Sequence, residues 1–230
     1  MLAPKIKDEP AARRPRGRPR KTIDERDEGN RRQALLTAAA RLFRRKGYHA
    51  TSTRDIAAAV GMHSGSPFYH FKSKNALLYA VMEEGMRSAA RRQGEAQVAG
   101  RDGDAGPGAA AAAIAAQPQA ALRALIRVHF DILLGKGSDF IPVMLYEWRS
   151  LTARQRAGIA ELTMVYEAPW IPVLVTLQAA GQLRADVHLA RLLILGALNW
   201  SVQWFNPKKR ATLDELTDAA MDLFVGAPPP

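Results

Sequence analysis

Apolar residues recur along this chain at intervals of three and four, and almost nowhere at strict alternation. Leu35, Ala38, Ala39, Leu42 and Phe43 share one face of a helix predicted over 27–46. Asp27 and Glu28 at its start, and Arg44, Arg45 and Lys46 at its end, match the partial charges of helix termini, and Gly47 stops it. A short helix over 53–60 follows, with Ser52 as N-cap, Asp55 three residues on completing a capping box, and Ile56, Ala57 and Val60 inward. Gly61 breaks it and a third helix spans about 64–71. Helix, short Gly-containing turn, helix is the helix-turn-helix arrangement.

The pattern continues with a helix over 75–92 and a Gly/Ala-rich stretch over 93–118, read as a flexible linker. Five more helices follow over 119–134, 140–149, 153–180, 189–205 and 213–225. The third of these must kink or break at Pro169 and Pro172. Residues 171–177 form the one strand-like run, but Pro172 lies inside it and no second strand could pair with it. The predicted fold is therefore all-α. It comprises a tail (1–26), a three-helix N-terminal helix-turn-helix domain (27–74) and a larger C-terminal helical domain (75–230).

Charge sharpens this division. The first 92 residues carry 21 Lys and Arg against 9 Asp and Glu, and the remaining 138 carry 12 against 13. A basic end joined to a neutral end suggests a polyanion-binding module joined to something else. The absence of cysteine excludes disulfides, thiolate metal sites and a cysteine nucleophile. Five scattered histidines offer no metal-ligand spacing, and no catalytic triad, P-loop or cofactor fingerprint occurs. The chain is thus expected to be neither an enzyme nor a cofactor carrier. Gly100, Gly103, Gly106 and Gly108 follow no strand and are not a phosphate cradle. The first ten residues lack the apolar run of a secretory leader, and no uncharged run reaches the roughly 18–20 residues of a membrane span. The expectation is a cytoplasmic, nucleoid-associated protein. In the tail, Arg16-Gly17-Arg18-Pro19 resembles an AT-hook, whose arginines enter a narrow A·T minor groove. A basic tail touching phosphates without preference is the alternative.

Thr51-Ser52-Thr53-Arg54-Asp55-Ile56-Ala57, Gly61-Met62 and the run from Phe68 to Leu78 resemble the DNA-binding domain of the TetR family of repressors. That resemblance implies an all-α homodimer on an inverted-repeat operator, released when the C-terminal domain binds a small molecule. The residue chemistry agrees. His63, Ser64, Gly65 and Ser66 open the third helix, where base edges are read. Tyr69, His70, Lys72 and Lys74, with Ser52, Thr53 and Arg54, are placed for phosphates. Phe68 and Phe71 are expected against the first helix, and Pro67 within the first turn of the third.

In the C-terminal domain, Glu147-Trp148-Arg149, Tyr166-Glu167-Ala168-Pro169-Trp170 and Asn199-Trp200…Trp204 resemble the branch of the family that responds to fatty-acid or sterol-derived acyl-CoA. The candidate ligand contacts are Arg123, Arg127, Tyr146, Arg149, Tyr166, Trp170, Asn199, Trp200 and Gln203, with the arginines for an anionic head group. An alternative makes the aromatics core and dimer interface; Met82, Met86 and His129 are read as core. The helices over 189–205 and 213–225, including Leu213, Leu216, Ala220, Leu223 and Phe224, are expected to form the dimer contact. The function read from this is a repressor released by an apolar effector such as a long-chain acyl-CoA. The alternative is an architectural DNA binder without an effector.

Overall fold

The computed structural model describes residues 23–62, 67–99, 107–135, 139–206, 209 and 211–226. Helix α1 (Ile23–Lys46) begins four residues ahead of the predicted start and ends where expected, at Gly47 with a φ of 81°. Helix α2 (Thr53–Ala59) carries the predicted cap: Ser52 Oγ accepts from the Asp55 amide, and Asp55 accepts from the Ser52 amide at 2.8 Å. Helix α3 is Pro67–His70. Gly61, between α2 and α3, takes a φ of 68°, a conformation that leaves room for Gly alone at little cost.

Beyond them lie α4 (Lys74–Ala99), α5 (Pro107–Ala116), α6 (Pro118–Leu134), α7 (Phe140–Glu147), α8 (Ala153–Glu167), α9 (Trp170–Ala179), α10 (Val187–Trp200) and α11 (Leu213–Phe224). Short 3₁₀ turns follow α7 and α10. Among the described residues there is no strand. The long proline-bearing segment breaks at 168–169, and the strand-like run is helical in α9. The linker reading of 93–118 is corrected. Helix α4 runs to Ala99, α5 is a helix despite the glycines before it, and Ile114 of α5 packs on the C-terminal core.

Two apolar cores meet along α6. One joins α1, α2, α4, α7 and α8 to Ile132 and Leu133, and contains Phe71 as expected. The other gathers α9, α10 and α11 around Leu122, Leu125, Ile126 and Phe130 of α6. Two ion pairs tie α6 to α11, Arg123 to Asp218 at 2.7 Å and Arg127 to Asp214 at 2.8 Å. No described helix is long and apolar enough to cross a membrane.

Candidate nucleic-acid interface and internal cavity

The basic end presents an exposed edge built from α2 and α3. Tyr69 is 92 % exposed, which an aromatic ring does not adopt for the sake of its own fold. Arg54 and Lys72 are exposed beside the half-buried Thr53 and His70. Ser52 is exposed too, but its hydroxyl already donates to Asp55 at 2.7 Å, so its hydrogen is committed to the cap. Arg32 lies 5.2 Å over the ring of Phe71 and ties α1 to the end of α3. Arg16, Arg18, His63, Ser64, Gly65 and Ser66, and the side chain of Phe68, lie outside the described residues.

Lys74 departs from the phosphate-contact role expected of it. Its ammonium donates to the carbonyls of Tyr48 at 2.9 Å, Thr51 at 3.0 Å and His49 at 3.4 Å, and sits 4.4 Å over the Tyr48 ring. Three donors on three acceptors leave this cation nothing to offer a phosphate. It is a brace on the turn that leads into α2. A second brace reaches the same turn from α7: Glu147 Oε1 accepts from the Tyr48 amide at 2.8 Å, and its other oxygen accepts from Ser150 at 3.2 Å. Arg44 pairs with Asp139 at 3.0 Å, just ahead of α7, and Asn75 donates to the Ser150 carbonyl at 2.8 Å.

A cavity of about 40 Å³ lies where the two cores meet. Met86 and Ala89 of α4, Ile132 and Leu133 of α6, Ile141 and Met144 of α7 and Leu195 of α10 give it apolar walls. His129, Thr163, Tyr166, Glu167 and Asn199 are its polar members. His129 Nδ1 is 2.7 Å from the Tyr166 hydroxyl, while its Nε2 makes no hydrogen bond to a described residue. Burial lowers the imidazole pKa to about 4, with a smaller opposing contribution from Asn199, so the ring is neutral at pH 7. Burial likewise raises the Tyr166 phenol, against a weaker pull from Arg92. Glu167 is paired with Arg191.

Of the nine predicted ligand contacts, Tyr166 and Asn199 reach this cavity. Trp170 is fully buried behind His129, ring edge to ring face at 6.0 Å, and its indole donates to Gln93 at 3.1 Å. The rest do not converge. Arg123 and Arg127 pair with Asp218 and Asp214 of α11 and do not line the cavity. Tyr146 and Gln203 bond to each other at the surface, and Arg149 and Trp200 are exposed. His129, read as core, is buried as expected and also lines the cavity. Its signal was visible: a lone imidazole on the apolar stripe Leu122, Leu125, Ile126, Phe130, Leu133.

The two helices expected at the dimer contact divide between interior and surface. Leu213, Leu216 and Phe224 pack into the chain's own core, Ala220 is buried, and only Leu223 of that set is exposed. The outward apolar stripe belongs to α10, with Leu189, Leu192, Leu193 and Trp200, and continues to Trp204 beyond the helix.

Both halves of this fold match known families. Residues 35–81 match bacterial regulatory proteins of the tetR family, and residues 115–227 match the tetracyclin repressor-like C-terminal domain. The transcriptional repressor KstR2 of Rhodococcus jostii is 27 % identical over 190 residues, 81 % of this chain and 85 % of that protein. The fatty acid metabolism regulator protein of Bacillus subtilis is 25 % identical over 194 residues, 83 % of this chain and 92 % of that protein. Among solved structures, AibR in complex with isovaleryl coenzyme A and operator DNA is 26 % identical with a TM-score of 0.71, covering 84 % of this chain and 97 % of that one. The superantigen PfiT is 37 % identical with a TM-score of 0.65, covering 84 % of this chain and 95 % of that one. With a helix-turn-helix head on a two-core helical body, and both parts matched, the chain belongs to the TetR family of bacterial transcriptional regulators.

Proposed function

We propose that this protein is a homodimeric repressor that binds an inverted-repeat operator and is released from it by an acyl-CoA. One observation carries the reading: the two helices that wall the cavity from the DNA-binding side, α4 and α7, both end on the same turn. Helix α4 contributes Met86 and Ala89 to the cavity, and its first residue, Lys74, holds the Tyr48–Thr51 carbonyls. Helix α7 contributes Ile141 and Met144, and its last residue, Glu147, holds the Tyr48 amide. That turn sets the position of α2, and α2 that of α3. A ligand that spreads these walls therefore biases the separation of the two reading heads in a dimer. Release requires the ligand to prefer the spread form, since equal affinity for both forms shifts nothing.

In this reading Tyr69, His70, Lys72, Thr53 and Arg54 meet phosphates, His63, Ser64, Gly65 and Ser66 meet base edges, and Arg16 and Arg18 reach the flanking minor groove. The work is done at the nucleoid, and the protein is not an enzyme. The α10 stripe is covered by a second copy, because an apolar patch of this kind marks an interface.

The cavity has room for roughly three waters, at about 10–15 Å³ each. It accepts a short acyl group with little rearrangement. A long chain requires Met86 and Met144, both flexible thioethers, to swing aside. AibR, with its isovaleryl coenzyme A, supports the short end of that range. The test is selection of bound duplexes from a random pool, then fluorescence anisotropy on the selected operator with free CoA and acyl-CoAs of graded length. Loss of operator affinity with one length range supports the proposal. Tight operator binding that no acyl-CoA alters favours the architectural alternative.

A further inference from the structure

The polar side of the cavity holds an imbalance of hydrogens. A neutral imidazole has one N–H and a phenol one O–H. His129 and Tyr166 share one hydrogen bond at 2.7 Å. Whichever of the two donates, one hydrogen is left over, on His129 Nε2 or on the Tyr166 hydroxyl. Both residues line the cavity, and His129 is only 5 % exposed. The Asn199 side chain beside His129 is the neighbouring acceptor, but no hydrogen bond of ordinary geometry reaches Nε2, so the pair is poised to give its spare hydrogen to an occupant's oxygen instead.

The surroundings hold this pair in place. Trp170 fixes the imidazole edge-on, Gln93 accepts from Trp170 and donates to the Tyr166 carbonyl at 2.6 Å, and Gln93 is itself buried. The occupant's charge is also restricted. The imidazole carries no positive charge at pH 7, and Glu167, on the same wall, already has Arg191 as its counter-ion. An anionic head group brought here would be buried beside a carboxylate with no free cation facing it among the described cavity-lining residues.

Resting on the effector reading above and deepening it, we propose that the His129–Tyr166 pair is the anchor for a neutral carbonyl oxygen, of a ketone or an acyl thioester, and that it discriminates against the corresponding free carboxylate. The apolar remainder of the ligand lies against Met86, Ile132, Ile141 and Leu195, and the carbonyl takes the spare hydrogen. Asn199, on the same wall, orients it.

The experiment uses full-length protein with labelled histidine, and methyl isobutyl ketone, isohexane and isovalerate as probes of one size. The ketone is expected to bind about tenfold or more tighter than isohexane, and tighter than isovalerate at pH 7, and to shift the His129 ring-nitrogen resonances. Replacing His129→Leu together with Tyr166→Phe removes both hydrogens, and the ketone then binds no better than isohexane. A single change would leave one donor behind, so the double variant is required. The resonance shift in unaltered protein needs no variant to fold. Equal binding of ketone and hydrocarbon, failure of both to bind, or a ketone preference that survives in the double variant would each overturn the anchor. Operator affinity in the same samples separates the two ideas. A ketone held by His129 with operator binding unchanged by any acyl-CoA sinks the effector reading alone. Release by acyl-CoA and by its carbonyl-free thioether analogue alike sinks the anchor alone.

Discussion

Replacing Lys74 with methionine keeps the aliphatic stem and deletes the ammonium, and the outcome distinguishes a brace from a DNA contact. Three carbonyls lose a charged donor, at 2.9, 3.0 and 3.4 Å, and Tyr48 loses a cation over its ring. Charge-assisted bonds contribute roughly 1.5–3 kcal/mol each when buried. Lys74 is half-buried and water can reach part of the turn, so the sum is discounted to about 2 kcal/mol in all. For a chain of this size that is a fall in Tm of about 4–8 °C by calorimetry. The slope of log affinity against log salt, from anisotropy titrations on operator DNA, is expected to stay as it was, because no phosphate contact has been lost. If Lys74 met a phosphate, the slope would instead flatten by about 0.9 for each half-site. A flatter slope with an unchanged Tm would refute the brace.

Other residues carry the opposite expectation. Lys72→Ala is expected to flatten the salt slope by about 0.9 per half-site with Tm within a degree or two of the parent, and Tyr69→Phe to weaken all sequences alike. Leu193→Arg, at a position 67 % exposed on α10, is expected to leave a folded monomer by sedimentation that no longer binds operator, since a charge in an apolar two-fold contact is unfavourable by several kcal/mol. A dimer that persists would place the interface elsewhere. Leu216→Arg, in the chain's own core, is expected to impair folding itself. For His129, with a folded-state pKa of about 4 against about 6.5 unfolded, the unfolded chain alone takes up a proton between these values. That stability is fully present above pH 6.5 and is lost as pH falls toward 4, about 2 kcal/mol of it by pH 5. Urea midpoints compared at pH 7 and pH 5 for the parent and His129→Leu check this; an equal drop in both would show that His129 does not titrate this way.

Local rules made much of the architecture legible. The Ser52–Asp55 box, Gly47 at a helix end and the proline break at 168–169 each depend on residues a few positions apart, and each lies where the periodicity put it. Helix α5 was read as linker because the glycines nearby argued for one, whereas a run of alanines with Ile114 on the second core is enough to hold a helix. The site was harder to read because composition does not say which aromatic is inside. Trp170 is fully buried and Trp200 is 65 % exposed, yet both looked alike in sequence. Long cations were hard to place for the same reason. Whether Arg123, Arg127 and Lys74 face a ligand or an internal partner depends on segments 23 to 95 residues away, which no spacing rule reports.

Energetic coupling between one cavity and one DNA face shows itself in reciprocal titration. The affinity of a short branched acyl-CoA is measured by calorimetry on free protein and on protein saturated with operator, and operator affinity is measured with and without saturating acyl-CoA. Linkage requires the two ratios to be equal, and the expected shared factor is roughly 5–150, in the weakening direction for both. Ratios of one, with acyl-CoA bound and operator affinity unmoved, would contradict it.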